Sequence, residues 1–170
     1  MSNKAEQGGR SDAIKKLGEE IKGIRIAMMT TVEEDGMPRS RPMATQEVDF
    51  DGDLWFFTGA GSPKVDEVER DRHVNISYSK PDDNRWVSVS GTAQLVRDRA
   101  KIDELWNPVL KAWFPKGKDD PELALLRVNV TDAEYWDTAS GAVAHTIGLV
   151  KAVATGQSYD PGDHEKLDIK

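Results

Sequence analysis

The chain contains no cysteine. That absence removes disulfides, thiolate zinc sites, iron–sulfur clusters and cysteine nucleophiles. Histidine is scarce. His73, His145 and His164 lie far apart and show no metal-ligand spacing, so no metal site is expected. No stretch approaches the roughly 18 apolar residues of a membrane span, and the segment Met1 to Asp12 is polar, without the apolar core of a signal peptide. The expectation is a cytoplasmic protein with no membrane partner. An excess of positive charge is lacking too: 23 Lys and Arg stand against 30 Asp and Glu, a net charge of -7. A nucleic-acid partner needs a clustered basic excess, so none is expected. A local basic pocket for one phosphorylated small molecule remains compatible with that balance.

The 170 residues, 38% of them hydrophobic, are one domain's worth of sequence. Residues 1–10 read as a disordered lead and residues 11–170 as a single domain. Ser11 can cap a helix carrying Ile14, Leu17 and Ile21 at helical spacing, closed by Gly23. Ile24 to Val32 reads as a buried strand. Asp35-Gly36 is a hairpin turn, and Met37 to Glu47 is the return strand, which Pro38 and Pro42 mark as an edge or a bulged strand. Leu54 to Thr58 is a compact aromatic strand, followed by a Gly-rich loop. Pro63 to Arg70 reads as a short helix, with Pro63 at its first position. Val74 to Ser79 and the alternating Trp86 to Val96 are strands. Asp98 to Leu110 is expected to be helical, Leu123 to Val130 and Glu134 to Trp136 to be the last strands, and Thr146 to Ala154 a final helix. Antiparallel hairpins without repeated βαβ units argue against a Rossmann sheet and for a mainly β fold with a few helices. Closing about six strands into a barrel would remove exposed edges.

Three segments could carry chemistry. Thr58-Gly59-Ala60-Gly61-Ser62-Pro63-Lys64 runs from a strand through glycines into a helix start. It is either a plain capped helix or an anion site, since free N–H groups and the helix dipole favour anions there. It does not match a P-loop. Pro38-Arg39-Ser40-Arg41-Pro42-Met43-Ala44-Thr45-Gln46 places Arg39, Arg41, Met43 and Thr45 on one strand face. Two arginines together on an acidic protein require an anion, which is either a carboxylate neighbour or a ligand phosphate. Among five tryptophans, Trp113 with Phe114 falls in a loop, where a planar ligand or a second subunit would explain large aromatics. Trp55 and Trp106 fall on periodic apolar positions and read as core.

In order and spacing, a chain-long series of segments resembles the pyridoxamine 5′-phosphate oxidase-like FMN-binding split-barrel family, in particular its bacterial general stress protein branch. The carrying residues are Met29-Thr30-Thr31-Val32 with Asp35-Gly36, Arg39-Ser40-Arg41-Pro42-Met43, Leu54-Trp55-Phe56-Phe57-Thr58, Ser62-Pro63-Lys64, Trp113-Phe114-Pro115, Asp119-Asp120-Pro121 and Ala133-Glu134-Tyr135-Trp136-Asp137. The resemblance implies an antiparallel split β-barrel with flanking helices, homodimeric, with FMN shared between two subunits. Arg41 and Lys64 would neutralise the FMN phosphate, with Ser62 and Thr58 hydrogen-bonding to it. The backbone of Met43, Ala44, Thr45 and Gln46 would follow the isoalloxazine edge, and Phe56 and Phe57 would pack near the ribityl chain. Trp136, Trp113 and Phe114 would cover the flavin from the partner chain.

True pyridoxamine 5′-phosphate oxidases carry an Arg-x-His pair near the C-terminus. Here no arginine follows Arg127, and the tail reads Asp163-His164-Glu165-Lys166-Leu167. Vitamin B6 oxidation is therefore not expected, and no residue is singled out as a catalytic acid or base. Three functions follow from the resemblance. The first is an FMN-dependent oxidoreductase in stress response. The second is a non-catalytic flavin store or sensor. The third is a different cofactor, a deazaflavin or haem, in the same groove.

Overall fold

The computed structural model describes residues 3–46, 48–137 and 163–169. Seven antiparallel strands and three helices follow in chain order: α1 (Asn3–Ile21), β1 (Ile26–Val32), β2 (Pro38–Ala44), β3 (Asp53–Gly59), α2 (Pro63–Arg70), β4 (His73–Lys80), β5 (Arg85–Val96), α3 (Arg99–Leu105), β6 (Leu123–Asp137) and β7 (Asp163–Asp168). The strands form one sheet in the order β2-β1-β4-β5-β6-β3, with β7 also on β6. The mainly β, antiparallel expectation holds. Among the described residues no ladder joins the two end strands, β2 and β3, so strand pairing does not close the barrel. Pro38 and Pro42 lack an N–H, which makes β2 a poor donor to a further strand.

Period-2 alternation explains most of the sheet. In β5, Val87, Val89 and Ala93 are buried while Trp86, Ser90 and Gln94 are exposed. Alternation fails where both faces are covered. Leu123, Ala124, Leu125 and Leu126 at the start of β6 are all buried. Leu126 and Val128 join the main core, whereas Leu123 and Leu125 join a second core with Phe57, Ile102 and Leu105. The second core lies beneath α3, capped by Asp98, whose carboxylate accepts from the N–H of Ala100 at 2.9 Å.

Several expectations are corrected. The two last strands are one, β6. Its first half pairs with β3 and its second half with β7, while β5 runs along its other edge. The apparent break at Thr131 is a register shift opposite Ser90 and Gly91. The helix expected to reach Leu110 stops at Leu105, because Pro108 follows and a 3₁₀ turn over Pro108–Ala112 replaces its end. The first helix does not wait for Ser11. It starts at Asn3, and Arg10 donates from Nε to the Ile169 carbonyl at 3.0 Å, tying it to the tail strand. The helix expected over Thr146 to Ala154 lies outside the described residues. No described helix is long and apolar enough to cross a membrane.

The two faces of the sheet differ. Ala27, Met29 and Thr31 of β1 share the inward face with Met43, Arg41 and Arg39, their register partners on β2, and Arg39, at the end of the row, is exposed. The outward face leaves Ile26, Met28, Trp86 and Trp136 exposed.

Candidate functional site

Helix α2 begins where β3 ends, beside the inward face of β1 and β2. Pro63 fills its first position and Val65, Glu67 and Val68 are buried, so the helix packs down on the sheet. Ser62 stands at the N-cap, yet its hydroxyl makes no capping hydrogen bond. It meets the Thr58 hydroxyl at 3.1 Å and accepts from Lys64 Nζ at 3.2 Å. Lys64 also donates to Thr58 at 3.3 Å. Lys64 makes no ion pair among the described residues. Burial, and after it the Arg41 charge, hold the Lys64 ammonium below the usual lysine range, with Glu67 pulling in the opposite direction.

Arg41 meets α2 one turn further on, at Glu67. Its Nη2 donates to Glu67 Oε1 at 2.7 Å and its Nη1 to the Thr31 hydroxyl at 2.7 Å. Thr31 in turn donates to Glu67 Oε2 at 2.6 Å. Thr31 is 1% exposed and Glu67 4%. Burial pushes the Glu67 carboxyl up. The hydrogen bonds from Arg41 and Thr31, with the charges of Arg41 and Arg70, outweigh it and leave the group below the usual carboxylate range. Arg39 takes a different carboxylate, donating from Nε and Nη2 to the two oxygens of Glu33. Each arginine of the pair is thus ion-paired with a carboxylate, whereas Lys64 makes no ion pair among the described residues.

The sign of the pH dependence follows. A carboxyl depressed by folding contributes stability above its ordinary value near 4.5, and that contribution is lost as pH falls through the folded value. Urea midpoints of the wild type should therefore fall more steeply below pH ~4.5 than those of Glu67→Gln. Parallel curves for the two proteins would show that Glu67 is not stabilised in its charged form.

The remaining expected site residues are spread over three regions. Met43 is buried in the main core. Thr45 donates from its hydroxyl to the Ile24 carbonyl at 2.6 Å, and Gln46 from its amide to the Ala44 carbonyl at 3.3 Å, so the end of β2 is pinned beside β1. Thr45 and Gln46 line a cleft of about 980 Å³ together with Phe50, Trp55 and α1. Phe56 lies in the main core, and Phe57 in the second, edge-on to Trp106 at 5.8 Å and 6.2 Å from the Phe114 ring. Trp113 is 58% exposed. Trp136 is on the outward face, stacked on His164 with ring centres 5.2 Å apart, opposite Trp86 in the next strand. The structure brings Arg41, Thr58, Ser62 and Lys64 together, while Trp113 is exposed and Trp136 packs on His164 on the outward face. Thr31 and Glu67 were missed. An acidic residue in a helix ordinarily faces water, and only its i+3 spacing from Lys64 hinted at this site.

Three comparisons locate the chain among known proteins. The family model "Pyridoxamine 5'-phosphate oxidase like" matches residues 12–160. Protein bli-3 of Neurospora crassa is 35% identical over 143 residues, covering 78% of this chain and 68% of that protein. The general stress FMN/FAD binding protein of Xanthomonas citri is 33% identical, with a TM-score of 0.65 over 77% of this chain and 92% of that one. General stress protein 26 of Bacillus anthracis is 27% identical, with a TM-score of 0.62 over 73% of this chain and 91% of that one. By the match of the family model over residues 12–160, this chain belongs to the pyridoxamine 5′-phosphate oxidase-like family.

Proposed function

We propose that the chain binds FMN, with the phosphate held at the start of α2 by Arg41, Lys64, Ser62 and Thr58. The observation that carries this is Lys64. Its half-buried ammonium rests on two hydroxyls with no carboxylate in ion-pair contact among the described residues, next to a second cation. Such an arrangement is costly without an anion and favourable with one. The donor set fits a phosphate ester: an ammonium, a guanidinium, two hydroxyls and a helix N-terminus whose cap hydroxyl is not spent on the helix. The Xanthomonas citri relative, described as FMN/FAD binding, supports a flavin in this chain.

The end of β2, Met43 to Gln46, follows the ring edge in this reading, and Phe56 and Phe57 hold Thr58 in place from the two cores. When bound, the flavin supplies redox chemistry, and the chain's own residues bind and orient it. The cover comes from a second copy. Ile26, Met28, Trp86 and Trp136 form an exposed apolar row on one sheet face, as an interface requires, and Trp113 and Phe114 or Trp136 of that copy complete the site. The physiological role is that of an FMN-dependent oxidoreductase of the general stress protein branch. A flavin store or sensor is the second reading. It is favoured because Arg41 and Glu67 are engaged with each other and Lys64 with two hydroxyls, which leaves no free acid or base among the described residues of the cluster.

Purified protein reconstituted with FMN should show bound-flavin absorption and sediment as a dimer. Absence of flavin bands after reconstitution with excess FMN and removal of the unbound flavin would refute the reading, and a flavin-loaded species of 18.9 kDa would refute the shared site. NADH or NADPH oxidation that falls to background in Arg41→Ala supports the oxidoreductase. Tight FMN retention without turnover supports the store.

A further inference from the structure

We infer that Thr31 and Glu67 are positioning residues that fix the Arg41 guanidinium, and that the ring they form makes the site select a ligand with a terminal phosphomonoester over the same ligand without one. The inference rests on the proposed phosphate end and adds two residues that do not touch the ligand.

The ring is closed in donors and acceptors. Arg41 donates once to Thr31 and once to Glu67, Thr31 donates to Glu67, and each carboxylate oxygen receives one hydrogen bond. A guanidinium has five N–H donors in a fixed plane, so two bonds from its two terminal nitrogens set that plane and leave the others free. Thr31 and Glu67 are sealed from water, and only Arg41 reaches outward, with its side chain 22% exposed. The rotamer freedom of a long arginine is thus given up on folding rather than on binding. A plain strut between β2 and α2 would give the same bonds. It would not, however, set the preference between two ligands that differ only at the phosphate.

The carboxylate also carries a negative charge towards the site. If that charge were its main effect, removing it would strengthen phosphate binding. If positioning dominates, removing it weakens phosphate binding. The sign decides between the two.

The test compares FMN with riboflavin, the same flavin lacking the phosphate, by quenching of flavin fluorescence at neutral pH. Wild type should prefer FMN. Thr31→Val keeps the shape and net charge but opens the ring, and should lower the FMN-over-riboflavin preference by about tenfold or more, since a hydrogen bond to a charged group is lost. Its affinity for riboflavin should stay within about twofold, which also reports that the fold is intact. Thr31→Ser should restore the preference. Glu67→Gln replaces the carboxylate that holds the guanidinium by a neutral, weaker acceptor and should lose preference likewise. Unchanged preference in Thr31→Val, or increased preference in Glu67→Gln, overturns the inference while leaving the phosphate site standing. A wild type that binds riboflavin as tightly as FMN overturns the phosphate site itself.

Discussion

Gly91→Ala should cost about 3 kcal/mol of folding stability, read as a lower urea midpoint at unchanged slope. A Cβ on Gly91 would lie 2.4 Å from the Asn129 carbonyl oxygen and 3.0 Å from Val128 Cγ1. The first is a backbone atom in the neighbouring strand, so no rotamer change removes the clash. Gly91 has an ordinary backbone conformation, so the requirement concerns space alone. It sits where the β5–β6 register shifts, with Gly91 opposite Val130 and Ser90 opposite Asp132. Relief would separate the strands at the bulge that lets β6 serve β3 first and β7 afterwards. Gly59→Ala is the control: its Cβ meets nothing within 4 Å, and the change should stay within about 0.5 kcal/mol. Equal midpoints for Gly91→Ala and wild type would show that β5 and β6 do not approach this closely.

The second large effect is Arg41→Met, which should cost about 3 kcal/mol at neutral pH. The ion pair itself is a poor source of stability, because burying two charges offsets much of their attraction. Breaking it is different. Glu67, 4% exposed in the wild type, would be left a buried carboxylate without the partner that holds it ionised. The cost should shrink as pH falls toward and through the ordinary carboxylate range, because burial without Arg41 pushes the Glu67 carboxyl up and lets it take up a proton there. It should also shrink in the double variant Arg41→Met with Glu67→Met, which removes both charges and fills the space. A thermodynamic cycle of the four proteins measures the coupling. Additive single effects would show that Arg41 and Glu67 stand independently.

Much of the frame was legible in the sequence because local chemistry and global fold agree there. Asp35-Gly36 announces the β1–β2 hairpin, and Gly36 takes the positive φ of 83° that the turn requires. Pro63 marks the start of α2, and the valines of β5 show their alternation directly. Illegible parts share a physical cause: their neighbours, not their own residues, determine them. Strand β7 reads Asp-His-Glu-Lys-Leu-Asp, with no apolar alternation, and is a strand because β6 offers it an edge. Asn3 to Arg10 is polar with two glycines, a poor helix by propensity, and is helical all the same. Thr131-Asp132 looked like a strand end because a bulge and a turn use similar residues. At the candidate site, Arg41, Ser62 and Lys64 stood out as cations and a hydroxyl near a helix start. Glu67 did not, since nothing in a sequence distinguishes a sealed carboxylate from a solvated one.

The two prolines of β2 have a consequence beyond the sheet itself. An unpaired strand edge is a template onto which other chains can add, and that is how folded β proteins begin to aggregate. Pro38 and Pro42 withhold two of the donors such an addition would need. On this side the sheet ends in a strand that resists being continued by a stranger, so the same short segment that presents Arg41 inward also guards the molecule against disordered self-association.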